Sequence, residues 1–453
     1  MSLGTTHEQL QSGPLKLPWW GRLLRYILYA CFWVLARTVT RLRVKSLDAG
    51  SGPLSGGICV GHHKSDLDAL MALPTIFWSP RMGRASARGA VVASEDLFQP
   101  GFLSGYVVRE PRWLSFLLYP ICVARVLKAM GWYPIAEGRR RYLLSHLTDV
   151  LEHEGDLPLG EVLESTEAHL PGALPDMRIR EVMGWKYRDS LFTLCDFSIF
   201  KSAFRDCLLQ RHKQRIASSL PVFADTLNNG GLVFISPHGG LSPDGRMAAF
   251  KSGLLQIFQG AVGEVVLIPG TLTYDVMSRG RLSVFLTIGP FLRATSDWPR
   301  DRLEQETRCA IVGGTTVTLG HLSSYYLRQK ALGGQCRVGE TEFQAEMYDE
   351  AKHMAESGFL VDARLLKQRS FNRRWHRYIS YAIRRGLIRR CDGLLHFDPE
   401  NVLSGSTSKP ARMKAWVVCA NELEVLMDLR SAQLPGAAPG NRFTTSTGER
   451  AKQ

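Results

Sequence analysis

The chain has 453 residues, of which 45% are apolar, a composition typical of a folded protein and not of a disordered one. Its formal net charge of +14 favours an anionic partner, either a nucleic acid or an anionic membrane surface. The nine cysteines are scattered without a Cys-x-x-Cys pair, which argues against a disulfide scaffold and indicates reduced thiols in a reducing compartment.

The length of the chain predicts two or three domains, or one domain with insertions. We expect a leader and an amphipathic membrane-associated helix over residues 1–44, followed by an α/β domain over 45–330. Within that domain, residues 142–215 have many charges and no glycine-rich loop, and we interpret them as a helical insertion without assigned chemistry. A basic helical extension over 331–430 and a disordered tail over 431–453 complete the predicted organisation.

The segment from Trp19 to Val44 contains one apolar run, Tyr26 to Ala36, between tryptophans and arginines. Its eleven residues are too few to span a bilayer as a helix, which needs about 20. Flanking arginines and tryptophans are typical of a helix that lies in the membrane interface. We therefore predict a protein associated with the cytoplasmic face of a membrane; the alternative is a helix packed against the domain.

The most informative stretch follows the short apolar strand predicted at residues 58–60. It contains a His-x4-Asp pair, His63 and Asp68. Open α/β sheets place their chemistry at the carboxyl ends of strands, where this pair lies. If Ser65 caps the helix that follows, the imidazole lies in the turn and the carboxylate in the first helical turn. The two side chains can then meet, although residues five apart on a regular helix diverge.

A carboxylate that holds Nδ1–H of a histidine fixes one tautomer and leaves Nε2 to accept a proton from a hydroxyl. His63 and Asp68 would then form the base half of a catalytic triad without a protein nucleophile. The structural alternative is a capping box, because Ser65-x-x-Asp68 has its spacing and acidic residues favour a helix N-terminus.

Other apolar strands also end in polar turns that contain glycine or proline. Residues 232–235 lead into a glycine-rich turn at 236–246, whose backbone amides could cradle an anion, and residues 265–268 end at Pro269. Residues 132–135 lead into three arginines at 139–141, which would either hold a phosphate or form a solvated turn. Such strands separated by helical stretches predict an α/β fold, a mixed sheet flanked by helices with its site at one edge.

Two helical segments outside this pattern are also predicted. A short helix over 221–228 is expected to end at Asn229-Gly230. Beyond residue 330 the chain is mainly helical, and residues 364–390 contain ten lysines and arginines, no acidic residue and several interleaved aromatic residues. This pattern favours an anionic lipid surface. Nucleic acid is the rival partner, but it is not expected because no nucleic-acid-binding motif accompanies the basic residues.

In order, the polar turns resemble the blocks of the 1-acylglycerol-3-phosphate acyltransferase family over roughly residues 45 to 290. Residues 62–68 resemble the first block, usually Asn-His-x-Ser-x-x-Asp, with His62 where asparagine is common. Residues 236–242 resemble the third block, usually Phe-Pro-Glu-Gly-Thr-Arg-Ser. The second block is represented by residues 131–135 with Arg139, and the fourth by residues 267–269 with Tyr274 and Asp275.

The resemblance implies transfer of a fatty acyl group from a coenzyme A or acyl carrier protein thioester to a hydroxyl of a glycerolipid or lysophospholipid. His63 would be the general base and Asp68 its orienting partner. No metal or bound cofactor is implied, and the acyl thioester is a co-substrate. The residues implied to bind the substrates are Ser65, Arg139, His238, Gly239, Gly240, Ser242, Arg246 and Pro269, with Pro269 shaping the acyl site.

Two departures from the third block affect the acceptor site. His238 replaces the glutamate and Leu241 replaces the arginine, which removes two charged groups. Arg246, or Arg140 with Arg141, would have to substitute for the lost arginine, or the acceptor differs from a phosphate-bearing glycerolipid. His238 would be either a polar contact to a hydroxyl or a structural histidine. These departures also leave open an inactive membrane scaffold with the acyltransferase fold.

Overall fold

A computed structural model describes residues 17 to 433, apart from 49, 51, 66, 100, 105–110, 136–140, 243 and 404–413. Most of the predicted leader and tail lie outside the described residues. The same is true of Arg139 and Arg140.

The strands are short, except for one long central strand. In chain order they are β1 (Thr40–Ser46), β2 (Gly57–Gly61), β3 (Ala90–Ser94), β4 (Trp132–Ile135), β5 (Arg141–Tyr142), β6 (Leu194–Cys195), β7 (Leu232–Ile235), β8 (Glu264–Asp275), β9 (Leu282–Ile288), β10 (Leu292–Thr295), β11 (Arg337–Gly339), β12 (Ile388–Cys391) and β13 (Leu394–Phe397).

The helices account for more of the described chain than the strands do. They are α1 (Trp19–Val39), α2 (Leu67–Phe77), α3 (Gly83–Ala87), α4 (Arg112–Leu118), α5 (Ala124–Ala129), α6 (Leu143–His153), α7 (Leu159–Val162), α8 (Thr166–His169), α9 (Ile179–Val182), α10 (Arg188–Leu191), α11 (Ser202–Asn228), α12 (Ser252–Gln259), α13 (Arg300–Gly313), α14 (Leu319–Leu332), α15 (Glu340–Glu356), α16 (Gln368–Arg384), α17 (Pro399–Leu403) and α18 (Lys414–Gln433).

The main sheet has the strand order β1-β9-β8-β2-β7-β3-β4, with β10 paired to β8. From β8 to β4 the neighbouring strands are parallel, whereas β9 and β10 run antiparallel to β8. The predicted α/β fold with a mixed sheet flanked by helices is therefore confirmed. Because β2, β7 and β8 are parallel, their carboxyl ends lie at one edge of the sheet, and the turns that follow β2 and β7 meet there.

The long strand β8 differs from its prediction. We expected it to end at Pro269, but it continues to Asp275. Its residue Gly270 pairs with Gly61, the last residue of β2, so β8 extends beyond the end of β2. It can do so because β9 supplies hydrogen-bonding partners along this extension, from Gly270 to Asp275. The extension places residues of β8 beside the start of α2.

The N-terminal helix α1 ends at Val39, and Thr40 begins β1, so the prediction of helix up to residue 44 is wrong at its end. One side of α1 packs on α2, where Tyr29 and Ala36 are buried. The remaining side exposes many apolar residues, including Trp19, Leu23 and Ile27. Among the described residues, no helix is both long enough and apolar enough to cross a membrane.

The segment between β5 and α11 contains several short helices around a hydrophobic cluster of its own, which runs from Leu143 to Leu208. The helix predicted over 221–228 is the last part of α11, which begins at Ser202 and passes through Pro221. The predicted start was wrong because proline usually begins or ends a helix. Its predicted end was correct, since Gly230 follows with a φ of +71°.

The C-terminal part contains a three-stranded antiparallel sheet, β11-β13-β12, which the expectation of a mainly helical extension missed. The aromatic residues of the basic segment are also placed differently from the prediction. Phe371, Trp375 and Tyr378 lie on the buried side of α16, in the main hydrophobic core. They do not face a membrane, and the exposed side of α16 consists mainly of basic residues.

Candidate active site

The predicted pair His63 and Asp68 lies where β2 gives way to α2. His63 Nδ1 is 2.9 Å from Asp68 Oδ2, and the His63 side chain is 33% exposed. An ionised carboxylate can only accept hydrogen bonds, so Nδ1 donates and Nε2 is the nitrogen that can accept a proton. The chain brings the two side chains together because residues 62–65 connect β2 to α2 without regular secondary structure and Asp68 lies in the first turn of α2.

The capping-box interpretation is also supported by contacts. Asp68 Oδ2 accepts hydrogen bonds from the backbone amides of Lys64 at 2.6 Å and Ser65 at 3.0 Å. Ser65 Oγ accepts one from the Leu67 amide at 3.2 Å. The two interpretations of the motif are therefore compatible, because one carboxylate caps the turn and contacts the imidazole. Ser65 acts here in capping; its predicted contact with substrate stays a prediction.

A third group, Tyr274 from the extension of β8, completes the surroundings of Asp68. Its hydroxyl donates a hydrogen bond to Asp68 Oδ1, so both carboxylate oxygens have partners. The fourth-block resemblance included Tyr274 without assigning it a role. The contact depends on β8 continuing beyond β2, which the predicted strand end at residue 268 did not allow.

A second network joins the turn after β2 to the turn after β7. Ser242 Oγ lies 2.6 Å from His62 Nε2 and 3.3 Å from His238 Nε2. His238 Nδ1 is in turn 3.2 Å from Ser236 Oγ. The Ser242 amide also donates to the His63 carbonyl at 3.0 Å. Ser242 and the two histidines are buried, so this network fixes the two turns against each other.

Both histidines of this network are neutral at pH 7. Burial, together with the nearby Lys64 ammonium, lowers the pKa of His62 to about 3. Burial lowers the pKa of His238 to about 4. The third block therefore carries no charge at His238, where the resembling family has a glutamate. The contacts of His238 with Ser236 and Ser242 support a structural role, which was one of its two predicted alternatives.

The C-terminal helix α18 supplies a further group, Glu422. Its Oε1 lies 3.1 Å from Lys64 Nζ, and its Oε2 lies 2.9 Å from His321 Nε2. Burial alone would raise the pKa of Glu422, but Lys64 and His321 outweigh that effect and lower it to about 2. A buried ion pair therefore ties the residue next to His63 to a helix more than 350 positions away in sequence.

Beneath the turns lies a small cavity of about 20 Å³, enough for about one water molecule. Its lining includes His62, Lys64, Thr271 and Glu422. The cavity is therefore too small for a lipid or an acyl chain. Access to His63 is from the protein surface, where its ring is partly exposed.

Two of the arginines proposed as substitutes in the acceptor site, Arg141 and Arg246, have other partners. Arg141 is buried and contacts Asp149 at 2.6 Å and Glu95 at 3.2 Å, so it stabilises the start of the insertion. Arg246 pairs with Glu424 of α18 at 2.7 Å. Arg141 is thus unsuited to binding an acceptor, which corrects that expectation.

The other residues predicted to bind substrates, Gly239, Gly240 and Pro269, differ in their exposure to solvent. Gly239 has a φ of +64°, a conformation that favours glycine, and its carbonyl accepts a hydrogen bond from Lys251 at 3.1 Å. The position of a Cβ on Gly240 would be open, so this residue leaves space at the surface of the turn. Pro269 is buried within β8 against Gly289, so its predicted role in shaping an acyl site has no exposed surface to act through.

Sequence reasoning missed Lys64, His321 and Glu422 as parts of the site. Lys64 lies within the His-x4-Asp motif, but nothing in the neighbouring sequence indicated a buried partner for it. Glu422 lies in an ordinary helical stretch, and only the packing of α18 on α14 brings it to the turn. Among the described residues, no cluster of three histidine, cysteine or acidic residues is arranged to hold a metal ion.

Neither the available models of protein families nor the curated protein sequences contain a match to this chain.

Proposed function

We propose that this protein is a membrane-surface O-acyltransferase that moves a fatty acyl group from a thioester to a lipid hydroxyl. The observation that supports this most directly is the 2.9 Å contact between His63 and Asp68 on a partly exposed turn. This arrangement suits general-base chemistry, because the carboxylate orients the ring and stabilises the imidazolium that forms. The resemblance in the order of the blocks supplies the substrate class.

In the proposed reaction, His63 Nε2 takes the proton of the acceptor hydroxyl while its oxygen attacks the thioester carbonyl carbon. The new C–O bond gives a tetrahedral intermediate, whose collapse breaks the C–S bond. The leaving sulfur takes the proton from the His63 imidazolium, so the products are an ester and a free thiol. Asp68 keeps the ring in one tautomer throughout, and Tyr274 holds the other carboxylate oxygen.

The proposed acceptor is a glycerolipid or lysophospholipid. The experiment below determines whether this acceptor carries a phosphate. The turn at 236–242 offers the neutral His238 and the exposed Leu241 where the resembling family has charged residues. No residue of the turn itself therefore carries a charge that could recognise an acceptor phosphate. For this reason, the acceptor panel should contain lipids with and without phosphate.

Membrane association is supported by exposed apolar residues on the N-terminal half of the chain. Trp19 of α1 is 71% exposed, and Trp113 and Phe116 of α4 are 65% and 56% exposed. Soluble proteins rarely expose several large apolar side chains together unless the surface binds a partner or a membrane. Exposed arginines such as Arg22 and Arg112 on the same helices suit an anionic lipid surface.

The test is acyl transfer from radiolabelled acyl-CoA and acyl carrier protein thioesters to a panel of lipid hydroxyl acceptors. We expect transfer by the wild type, its loss in His63→Ala, and no change in His376→Ala. His376 is an exposed histidine on α16 and serves as the matched control. Absence of transfer to every acceptor by the wild type would reject the enzyme and favour the inactive membrane scaffold.

A further inference from the structure

A surface groove lies at the end of α2 that is far from His63. The helix α2 begins beside the His63 turn and ends at Phe77, and its eleven residues extend over about 16 Å. At this far end, a groove of about 510 Å³ opens between α1, the end of α2 and α3. Its lining residues are Tyr26, Phe77, Trp78, Gly83, Arg84, Ala87 and Arg88.

One wall of the groove is aromatic. The rings of Tyr26 and Phe77 have centroids 4.9 Å apart, and those of Tyr26 and Trp78 are 5.7 Å apart. Phe77 is buried, whereas Tyr26 and Trp78 are 43% and 47% exposed. Tyrosine and tryptophan with one exposed side are typical of the boundary between lipid and water.

The other wall is cationic. Arg84, within α3, and Arg88, directly after its last residue, both line the groove. Both are exposed, and within the described residues neither guanidinium has an acidic partner. Among the described residues that line the groove, none has a carboxylate side chain. Guanidinium groups bind phosphate through charge-assisted hydrogen bonds, so a groove lined by two arginines suits a phosphate.

The groove is held in shape by a buried arginine of α1. Arg25 donates hydrogen bonds to the carbonyls of Ser86 at 3.2 Å, Ala87 at 3.1 Å and Gly89 at 2.7 Å. These carbonyls lie at and just beyond the C-terminal end of α3. The last carbonyls of a helix have no amide partner within the helix, so other donors must bind them. α1 is therefore fixed against α3, and the two walls keep their separation.

The groove is also continuous with the exposed apolar side of α1. Residues three, four and seven positions apart share a face of a helix, so Trp19 and Leu23 lie on the same side as Tyr26. Both are more than half exposed. An apolar stripe that leads to an aromatic and cationic groove matches a phospholipid, whose acyl chains follow the stripe and whose phosphate reaches the arginines.

We propose that this groove binds the head group of an anionic phospholipid and so sets how the protein lies on a membrane. The proposal rests on the membrane association proposed above, and it is independent of acyl transfer. The site is distinct from the acceptor site at His63, because the two lie at opposite ends of α2.

The test compares two pairs of arginines with the same spacing. Arg84→Gln with Arg88→Gln changes the groove, and Arg369→Gln with Arg373→Gln changes an exposed pair on α16, the helix expected from sequence to contact lipid. Binding of the full chain is measured to phosphatidylcholine vesicles with and without phosphatidylglycerol, at physiological ionic strength. Exposed arginines that have no acidic partner among the described residues can be changed with little effect on folding, which thermal melts would verify.

We expect the double variant of Arg84 and Arg88 to bind the anionic vesicles about tenfold or more weakly, since each arginine near an anionic surface raises the affinity several-fold. Its binding to neutral vesicles should be unchanged, and the α16 pair should change anionic binding by less than about threefold. Equal losses from both pairs, or a larger loss from the α16 pair, would overturn the proposal. So would a wild type without preference for anionic vesicles.

A second measurement separates a lipid from free phosphate. The fluorescence difference between the wild type and Trp78→Phe reports on Trp78 in the groove. It should respond to a short-chain soluble phosphatidic acid and not to inorganic phosphate at the same concentration. Equal responses to both would overturn the lipid assignment. A wild type that binds anionic vesicles through this groove but transfers no acyl group would leave this proposal standing and reject the enzymatic one.

Discussion

Replacing Asp68 by asparagine and by alanine separates the two functions that its carboxylate combines. An asparagine whose amide oxygen takes the place of Oδ2 can still accept from His63 Nδ1 and from the amides of Lys64 and Ser65. Its NH2 group then faces the Tyr274 oxygen, which can accept a hydrogen bond. Asparagine therefore preserves the cap and the tautomer but removes the negative charge. Alanine removes all of these contacts.

The expected magnitudes follow from these contacts. A charge-assisted hydrogen bond contributes about 1 to 2 kcal/mol more than a neutral one, so Asp68→Asn should lower kcat about five- to thirtyfold. His63→Ala removes the base itself and should lower kcat by about 10² to 10⁴. Asp68→Ala should approach the loss in His63→Ala and should also lower the free energy of unfolding by about 1 kcal/mol, because the cap is lost.

The assay measures kcat for acyl transfer and urea denaturation in parallel for the three variants. We expect the order His63→Ala, Asp68→Ala and Asp68→Asn in loss of activity, with a loss of stability in Asp68→Ala alone. The reasoning is refuted if His63→Ala retains activity within a few-fold of the wild type. It is also refuted if Asp68→Asn is as unstable as Asp68→Ala while His63→Ala is fully active, because the carboxylate would then serve only as a cap.

Tyr274→Phe removes the hydroxyl that contacts Asp68 Oδ1 and should lower kcat several-fold, with a change in the free energy of unfolding of about 1 kcal/mol or less, measured in the same assays. Glu422→Gln leaves the buried Lys64 without its counter-charge and should lower the free energy of unfolding by about 3 kcal/mol in urea denaturation; Lys64→Met combined with Glu422→Leu should recover part of this loss, and a stable Glu422→Gln variant would contradict the ion-pair argument. The pKa of His62 is about 3 in the folded protein and near 6.5 in the unfolded chain, so between these two pH values mainly the unfolded chain binds the proton, and the free energy of unfolding decreases as the pH falls through this range. His62→Gln should therefore reduce the slope of stability against pH between pH 6 and 4 by about 1.4 kcal/mol per pH unit, and equal slopes in urea denaturation would show that His62 is not held neutral.

The sequence predicted the strands that position the site more successfully than it predicted their ends. Residues 58–60 and 232–235 are continuous apolar runs followed by polar turns, and a buried parallel strand requires this pattern. The extension of β8 beyond Pro269 was missed, because proline and glycine usually end a strand and the pairing of β9 with this part of β8 is not visible in local sequence. The missed extension also concealed the role of Tyr274.

The basic segment shows where pattern reasoning fails for a different reason. Arginines interleaved with aromatic residues describe equally a helix on a lipid surface and a helix whose apolar side enters a core. On α16 the second arrangement holds, since Phe371 and Trp375 are fully buried. Composition cannot distinguish these cases because both bury the same side chains, one in lipid and the other in protein. Only the neighbouring helices α14 and α15 decide between them.

Glu422 connects the candidate active site to α18, a helix outside the region that resembles the acyltransferase blocks. The turns that resemble acyltransferase blocks lie within residues 45–290, but the residue after His63 is held by a carboxylate of α18. Arg246, at the end of the turn after β7, is held by the same helix through Glu424. Because α18 contacts both turns, any movement of this helix would change their separation, and with it the geometry at His63. The C-terminal helix is therefore a structural part of the candidate active site, and a chain that ended after residue 330 would leave Lys64 as a charge without its partner.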